Sequence, residues 1–192
     1  YAEEAIALDP SNTKAYIMSG DILSDMDNPK KALKYYNQAL ALGVTDADLL
    51  YKIGQTNLAY EQYEEAVQSF TQAITRQPKN ANYLLGRADA RMKQKQYATA
   101  IEDYDAALTI NPGLADAYEN KGFAYTQLGN YNLALQALNR AIELDPKDGI
   151  AFYKRGITYF KAFNTTQACE DWVQSEKLGV DEANDLWKKH CK

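Results

Sequence analysis

Pro10, Val44, Pro78, Pro112, Pro146 and Val180 stand 34 positions apart along the chain (44 − 10, 78 − 44 and so on), and the interval never slips. A period of this length constrains the fold strongly, because each period must be one supersecondary unit that buries its apolar face against its neighbours. The stretch Ala115–Pro146 shows what a unit is. Tyr118, Gly122, Tyr125 and Leu128, then Tyr131, Ala134, Leu138 and Ala141, recur at steps of three or four, the spacing that gathers side chains on one face of a helix. Leu128-Gly129-Asn130 interrupts them, since Gly and Asn accept the left-handed backbone that ends a helix. Pro146 stops the second run, lacking a donor and pushing Asp145 out of helical geometry. A unit is therefore two short helices packed back to back.

The columns of this ladder alternate in size. Gly20, Gly54, Ala88, Gly122 and Gly156 form a small column, as do Ala32, Ala66, Ala100, Ala134 and Ala168. Tyr36, Phe70, Tyr104, Leu138 and Trp172 form a large one, followed by Ala39, Ala73, Ala107, Ala141 and Ser175. Small facing large is how helices interdigitate without voids.

On these residues the chain resembles the tetratricopeptide-repeat family, a 34-residue helix-turn-helix with small, aromatic and proline positions at these spacings. The resemblance covers nearly the whole chain. It implies an all-α fold, a right-handed superhelical solenoid of antiparallel helix pairs. A partial repeat at 1–12 precedes five repeats, Thr13–Asp46, Ala47–Asn80, Ala81–Leu114, Ala115–Asp148 and Gly149–Val180. Because Tyr1–Pro10 matches only the second half of a unit, further residues are expected upstream. The remaining 181–192, DEANDLWKKHCK, places Ala183, Leu186, Trp187 and His190 at helical spacing and reads as a capping helix for the last repeat.

Departures from the pattern are local. Asn28 is expected to cap the second helix of the first repeat, with Pro29 at its first position. Leu50 stands where the reference unit has Tyr118, and Glu61 replaces the turn glycine, which predicts a more strained turn there. The fifth repeat turns at Phe163-Asn164-Thr165 and ends on Val180 rather than proline.

A net charge of −5 and a pI near 5.0 argue against a phosphate-binding surface, so nucleic acid is not an expected partner. No run reaches the roughly 20 apolar residues that span a bilayer, so direct membrane insertion is not expected. His190 is the only histidine and lacks the partners of a metal site or catalytic triad; packing or exposure on the cap is its plainer reading. Glu102-Asp103-Tyr104-Asp105 reads as a solvated helix face around a buried aromatic. With no Gly-rich phosphate loop, CxxC pair or nucleophile elbow, neither an enzyme nor a cofactor is implied.

Cys169 and Cys191 fall about equally far from the turn near Gly179-Val180, so antiparallel helices would bring them to similar height. The plainer reading is two free thiols; a disulfide is the alternative. The ending ACEDW with a short helix closing on Cys also resembles bacterial members of the family. The family default is cytoplasmic; a bridge would point instead to an oxidising compartment such as the bacterial periplasm or cell envelope.

In this family first helices line a concave groove that takes an extended peptide or partner helix. Projecting them gives Ile17, Met18 and Asp21; Tyr51, Lys52 and Gln55; Leu85, Asp89 and Met92; Glu119, Asn120 and Phe123; and Tyr153, Lys154, Ile157, Phe160 and Lys161. The last set, with Phe123, would form an apolar and basic pocket, whereas Asp21, Asp25 and Asp48 make the opposite end acidic. The plain alternative is that Ile157 and Phe160 pack against the cap. Asn120 and Lys154 occupy two places of the family's carboxylate clamp for chaperone tails, but Leu85 and Asp89 depart from it, and an aspartate would repel a tail carboxylate.

The leading expectation is a non-enzymatic interaction scaffold that holds a peptide or partner protein in the groove. Two alternatives stand beside it: self-association through the amino-terminal half-repeat, and the adaptor region of a larger enzyme.

Overall fold

The computed structural model describes residues 2–191, with side chains from Glu4. Tyr1, at the start of the partial unit, and Lys192, at the end of the cap, lie outside the described residues. Among those described there are twelve helices and no strand: α1 Ala2–Leu8, α2 Thr13–Asp25, α3 Pro29–Ala41, α4 Ala47–Ala59, α5 Tyr63–Arg76, α6 Ala81–Lys93, α7 Tyr97–Ile110, α8 Ala115–Gln127, α9 Tyr131–Leu144, α10 Gly149–Lys161, α11 Thr165–Lys177 and α12 Asp181–His190. First helices begin at 13, 47, 81, 115 and 149 and second helices at 29, 63, 97, 131 and 165, one period apart throughout. The chain divides into two compact units, Tyr1–Gln94 and Lys95–Lys192.

The turns inside the repeats share one geometry despite their different residues. Asp27, Glu61, Lys95, Gly129 and Phe163 all take a left-handed backbone, with φ of 54°, 60°, 60°, 77° and 61°. The following residue donates its N–H five positions back, from Asn28 to Leu23, Gln62 to Asn57, Asn130 to Tyr125 and Asn164 to Tyr159, at 2.8–2.9 Å. These bonds satisfy carbonyls that a helix end otherwise leaves open. The strain expected at Glu61 is therefore shared by every turn that lacks glycine. Asn28 accepts from Lys31 N–H and caps α3, with Pro29 in its first turn.

The exchange of proline for valine at the ends of repeats has a local cause. Val44 and Val180 donate their N–H to Ala39 and Ser175, each at 3.1 Å. Both follow a left-handed glycine, Gly43 at φ 94° and Gly179 at φ 92°. Proline, without an N–H, cannot close a helix in this way.

In the first unit Tyr36 and Phe70 are the large buried side chains between helix pairs, and Tyr83 fills the space beside Ala47, Leu50 and Ala73. In the second unit Leu138 and Trp172 take that role. The small column is what admits them. A Cβ on Gly54 would lie 2.7 Å from the Phe70 ring, and one on Gly156 would lie 2.6 Å from Trp172 Nε1. Burying each such side chain contributes roughly 1.5–3 kcal/mol. Helices α10 and α11 run antiparallel: Gly156 meets Trp172 while Gly149 meets Val180 and the Ser175 carbonyl.

α12 closes the second unit. Ala183 is fully buried, and Leu186, Trp187 and Cys191 pack on the cluster around Trp172. Cys169 on α11 and Cys191 at the end of α12 are joined by a disulfide, with Cα atoms 5.9 Å apart. The cysteines are thus a bridge in this structure, not the two free thiols of the plainer sequence reading.

Candidate functional site

In the first unit, first helices α2 and α4 frame a cleft of about 510 Å³ lined by Asp21, Asp25, Tyr51, Lys52, Gln55 and other polar residues. Its charges are largely committed to one another. Lys52 Nζ sits 2.6 Å from Asp21, which also accepts from the Tyr36 hydroxyl at 2.8 Å. Asp48 accepts from the Tyr83 hydroxyl. Burial, followed by that bond to Asp48, pushes the Tyr83 hydroxyl up to about 12. The acidic end expected from Asp21, Asp25 and Asp48 is therefore partly neutralised, because two of its carboxylates hold neighbouring helices together.

Tyr51 has a double role. Its ring packs against Phe70 and Tyr83, with centroids 5.6 and 5.1 Å away, while its hydroxyl faces the cleft and accepts from Gln55 at 3.0 Å. Burial, then the charge of Asp89 on α6, raises its pKa. Met92, half-buried on α6, does not line this cleft.

In the second unit the structure separates residues that the sequence placed in one pocket. Lys154 on α10 reaches Glu119 and Asn120 on α8, with Asn120 Oδ1 at 2.8 Å, and lies 5.5 Å above the Phe123 ring. The two clamp-like residues thus bind each other. Glu119 is 8% exposed, and its carboxyl is pushed up to about 7, first by burial and then by a hydrogen bond to Asp148, against the opposing pull of Lys154.

Tyr153, Ile157 and Phe160 pack on the Trp172 cluster, so for Ile157 and Phe160 the plain cap-packing alternative is what the structure shows. Phe160 retains an open edge. With exposed Lys161 it lines a second cleft, of about 650 Å³, between the ends of α8 and α10 and the turns that follow them.

His190 packs rather than facing solvent alone: its ring lies 4.3 Å from Phe160 and 6.1 Å from Trp172. Asp103 corrects the reading of a solvated acidic face, being only 3% exposed. The cause is positional, since Ser69, Ala137 and Asp171, one period away or two, are buried as well. Asp171 shows how such a carboxylate is accommodated, taking a two-pronged bond from Arg155 at 2.6 and 2.8 Å. Asp105 pairs with Lys121.

Two features escaped the sequence reading. Glu119 carried no signal of burial, whereas Phe163 did carry one of its own, as the one aromatic in a turn column of Asp27, Glu61, Lys95 and Gly129.

Family models described as tetratricopeptide repeat match residues 13–42 and 51–115, and one described as TPR repeat matches 122–162. The chain belongs to the tetratricopeptide-repeat family. A comparison with curated proteins finds no match. Among solved tetratricopeptide-repeat structures it is similar to YrrB, described as a TPR protein with an unusual peptide-binding site, at 25% identity, 98% of this chain, 97% of that one and a TM-score of 0.78. It is also similar to MamA from Desulfovibrio magneticus RS-1, at 22% identity, 86% and 94% coverage and a TM-score of 0.81. A thermophilic TPR protein of Thermus thermophilus matches at 16% identity, 93% and 98% coverage and a TM-score of 0.73. Among the described residues no helix is long and apolar enough to cross a membrane.

Proposed function

We propose that the chain is a non-enzymatic interaction scaffold that holds a peptide or partner segment against its first helices, with Tyr51, Lys52, Asp89 and Met92 among the contacts in the first unit and Asn120, Phe123 and Lys154 in the second. The observation that carries this reading is the cleft between α2 and α4, where an aromatic hydroxyl, an ammonium, an amide and carboxylates converge on open space. A few convergent polar groups over packed aromatics are what orient a ligand. The likeness to YrrB, a repeat protein described with a peptide-binding site, supports it.

Panning a peptide library on the full chain and re-measuring the selected peptides against variants tests the reading. Lys52→Glu and Gln55→Ala should weaken them at least about tenfold, the scale of an interface hot spot, with helicity unchanged. Selected peptides that bind both variants as they bind the parent would refute the first-helix assignment.

A second reading, self-association, rests on exposed Leu8 and on Met18 and Ile22 of α2 with Met26 at its C-cap, three exposed apolar residues spaced four apart. Light scattering across a concentration series decides it: a mass that stays monomeric excludes it.

A further inference from the structure

Phe163 combines a bulky side chain with a left-handed backbone. It is 96% exposed and holds φ at 61°, a backbone that a bulky side chain seldom adopts. Three other turns put a charged residue there, and α8–α9 uses Gly129. Nothing in the repeat needs an aromatic at this point, since all five turns close in the left-handed region.

The ring stands beside open space on two sides. It borders the 650 Å³ cleft with Phe160 and Lys161, and a second cleft of about 480 Å³ with Leu133; both clefts also include Gly129 and Tyr131. Leu128 and Leu133 alongside are each 44% exposed. Apart from Gly129 itself and its two chain neighbours, no residue comes within 4 Å of where a Gly129 Cβ would stand. The turn edge of α8–α11 therefore sets the exposed side chains of Leu128, Leu133 and Phe163 around two recesses, and exposed apolar groups gathered in this way mark docking sites.

Charge decides what fits. Lys161 is the one charged residue lining either cleft, in a chain whose net charge is −5. It forms no ion pair among the described residues.

We infer that this turn edge is a second docking site, separate from the first-helix cleft of the other unit, for a peptide segment that places an aliphatic or aromatic side chain against Phe163 and a neighbouring carboxylate on Lys161. Exposed aromatics serve as anchors in such contacts, and a rim charge selects the partner.

The test uses the full chain and a fluorescein-labelled peptide with a central Leu-Phe pair flanked on each side by Asp-Glu, read by fluorescence polarisation. Saturable binding below about 1 mM is expected. Phe163→Gly should weaken it at least about tenfold while melting no lower than the parent, because glycine is at ease at positive φ. Lys161→Glu should weaken the acidic peptide and favour one with Lys-Arg flanks. Ile150→Ser, which removes an exposed apolar residue outside both clefts, should change nothing. Four results would overturn the site: no saturation, equal binding to Phe163→Gly, equal binding of a peptide with a Ser-Ser centre, or a parent dimer that Phe163→Gly makes monomeric while the peptide fails to bind. The last would give the patch to a second copy. Because none of these results involves Lys52 or Gln55, failure here leaves the first-helix reading standing.

Discussion

The first and last repeats are built on the same frame but differ in what covers them. Met18 and Ile22 on α2 and Met26 at its C-cap are 57%, 50% and 70% exposed. One period on from Ile22, and at each period after that, Thr56, Ala90, Ala124 and Thr158 are all buried. Thr158 meets the hydroxyl of Thr126 on α8 at 2.7 Å. At the other end α12 covers α10 and α11 and sinks Trp172 to 1% exposure. The face of a repeat is thus buried or bare according to its neighbour, which is why stability in such arrays behaves as a sum of repeats and interfaces.

The largest effect is expected at Trp172. Trp172→Ala should cost about 3–5 kcal/mol, by cavity formation under the cap, measured by urea unfolding. Reducing the Cys169–Cys191 bond, which closes a sequence separation of 22 residues, should cost roughly 3 kcal/mol and release α12, seen as a lower melting temperature with reductant. Next come the glycines, where the two ends should agree. Gly20→Ala would bring a Cβ within 2.4 Å of Tyr36, and Gly156→Ala within 2.6 Å of Trp172; each should cost about 1–3 kcal/mol. A large difference between them would mean that packing inside a repeat also depends on its neighbour.

A smaller contrast lies in the lysines of one column. Lys52 pairs with Asp21 where both side chains are 37% exposed, so that pair should matter little. Lys154 pairs with the buried Glu119, whose carboxyl is raised from its usual 4.5 to about 7. A carboxyl that holds its proton more tightly when folded contributes stability that is complete below 4.5 and lost as pH rises through 7. Denaturation midpoints should therefore decline over that window, and Glu119→Gln should flatten the decline. The smallest effect is expected at the bare end: Ile22→Ser should shift stability by no more than about 0.5 kcal/mol.

How much of this was legible depended on whether a residue's environment was set by its own period. The helix starts, the turn at Gly129 and the capping by Asn28 followed from local chemistry, and the small and large columns located Tyr36, Phe70, Leu138 and Trp172. The candidate site was less legible because helical projection gives direction but not depth. Tyr51, Tyr153, Ile157 and Phe160 project where a groove would be, yet their rings and branches reach neighbouring helices. Asp103 projects outward from the hydrophobic stripe, yet lies on a side that the stacking of repeats closes. Lys154 and Asn120 lie one period apart on successive first helices, but their distance, and the intrusion of Glu119, depend on how those helices pack.

The bridge between Cys169 and Cys191 also changes what a protease can do. It makes the last second helix, the exposed Gly179 turn and the cap a single covalent ring. One cut at that turn would leave two pieces that still travel together, and only reductant would part them. Damage at this end is therefore tolerated wherever the surroundings are oxidising.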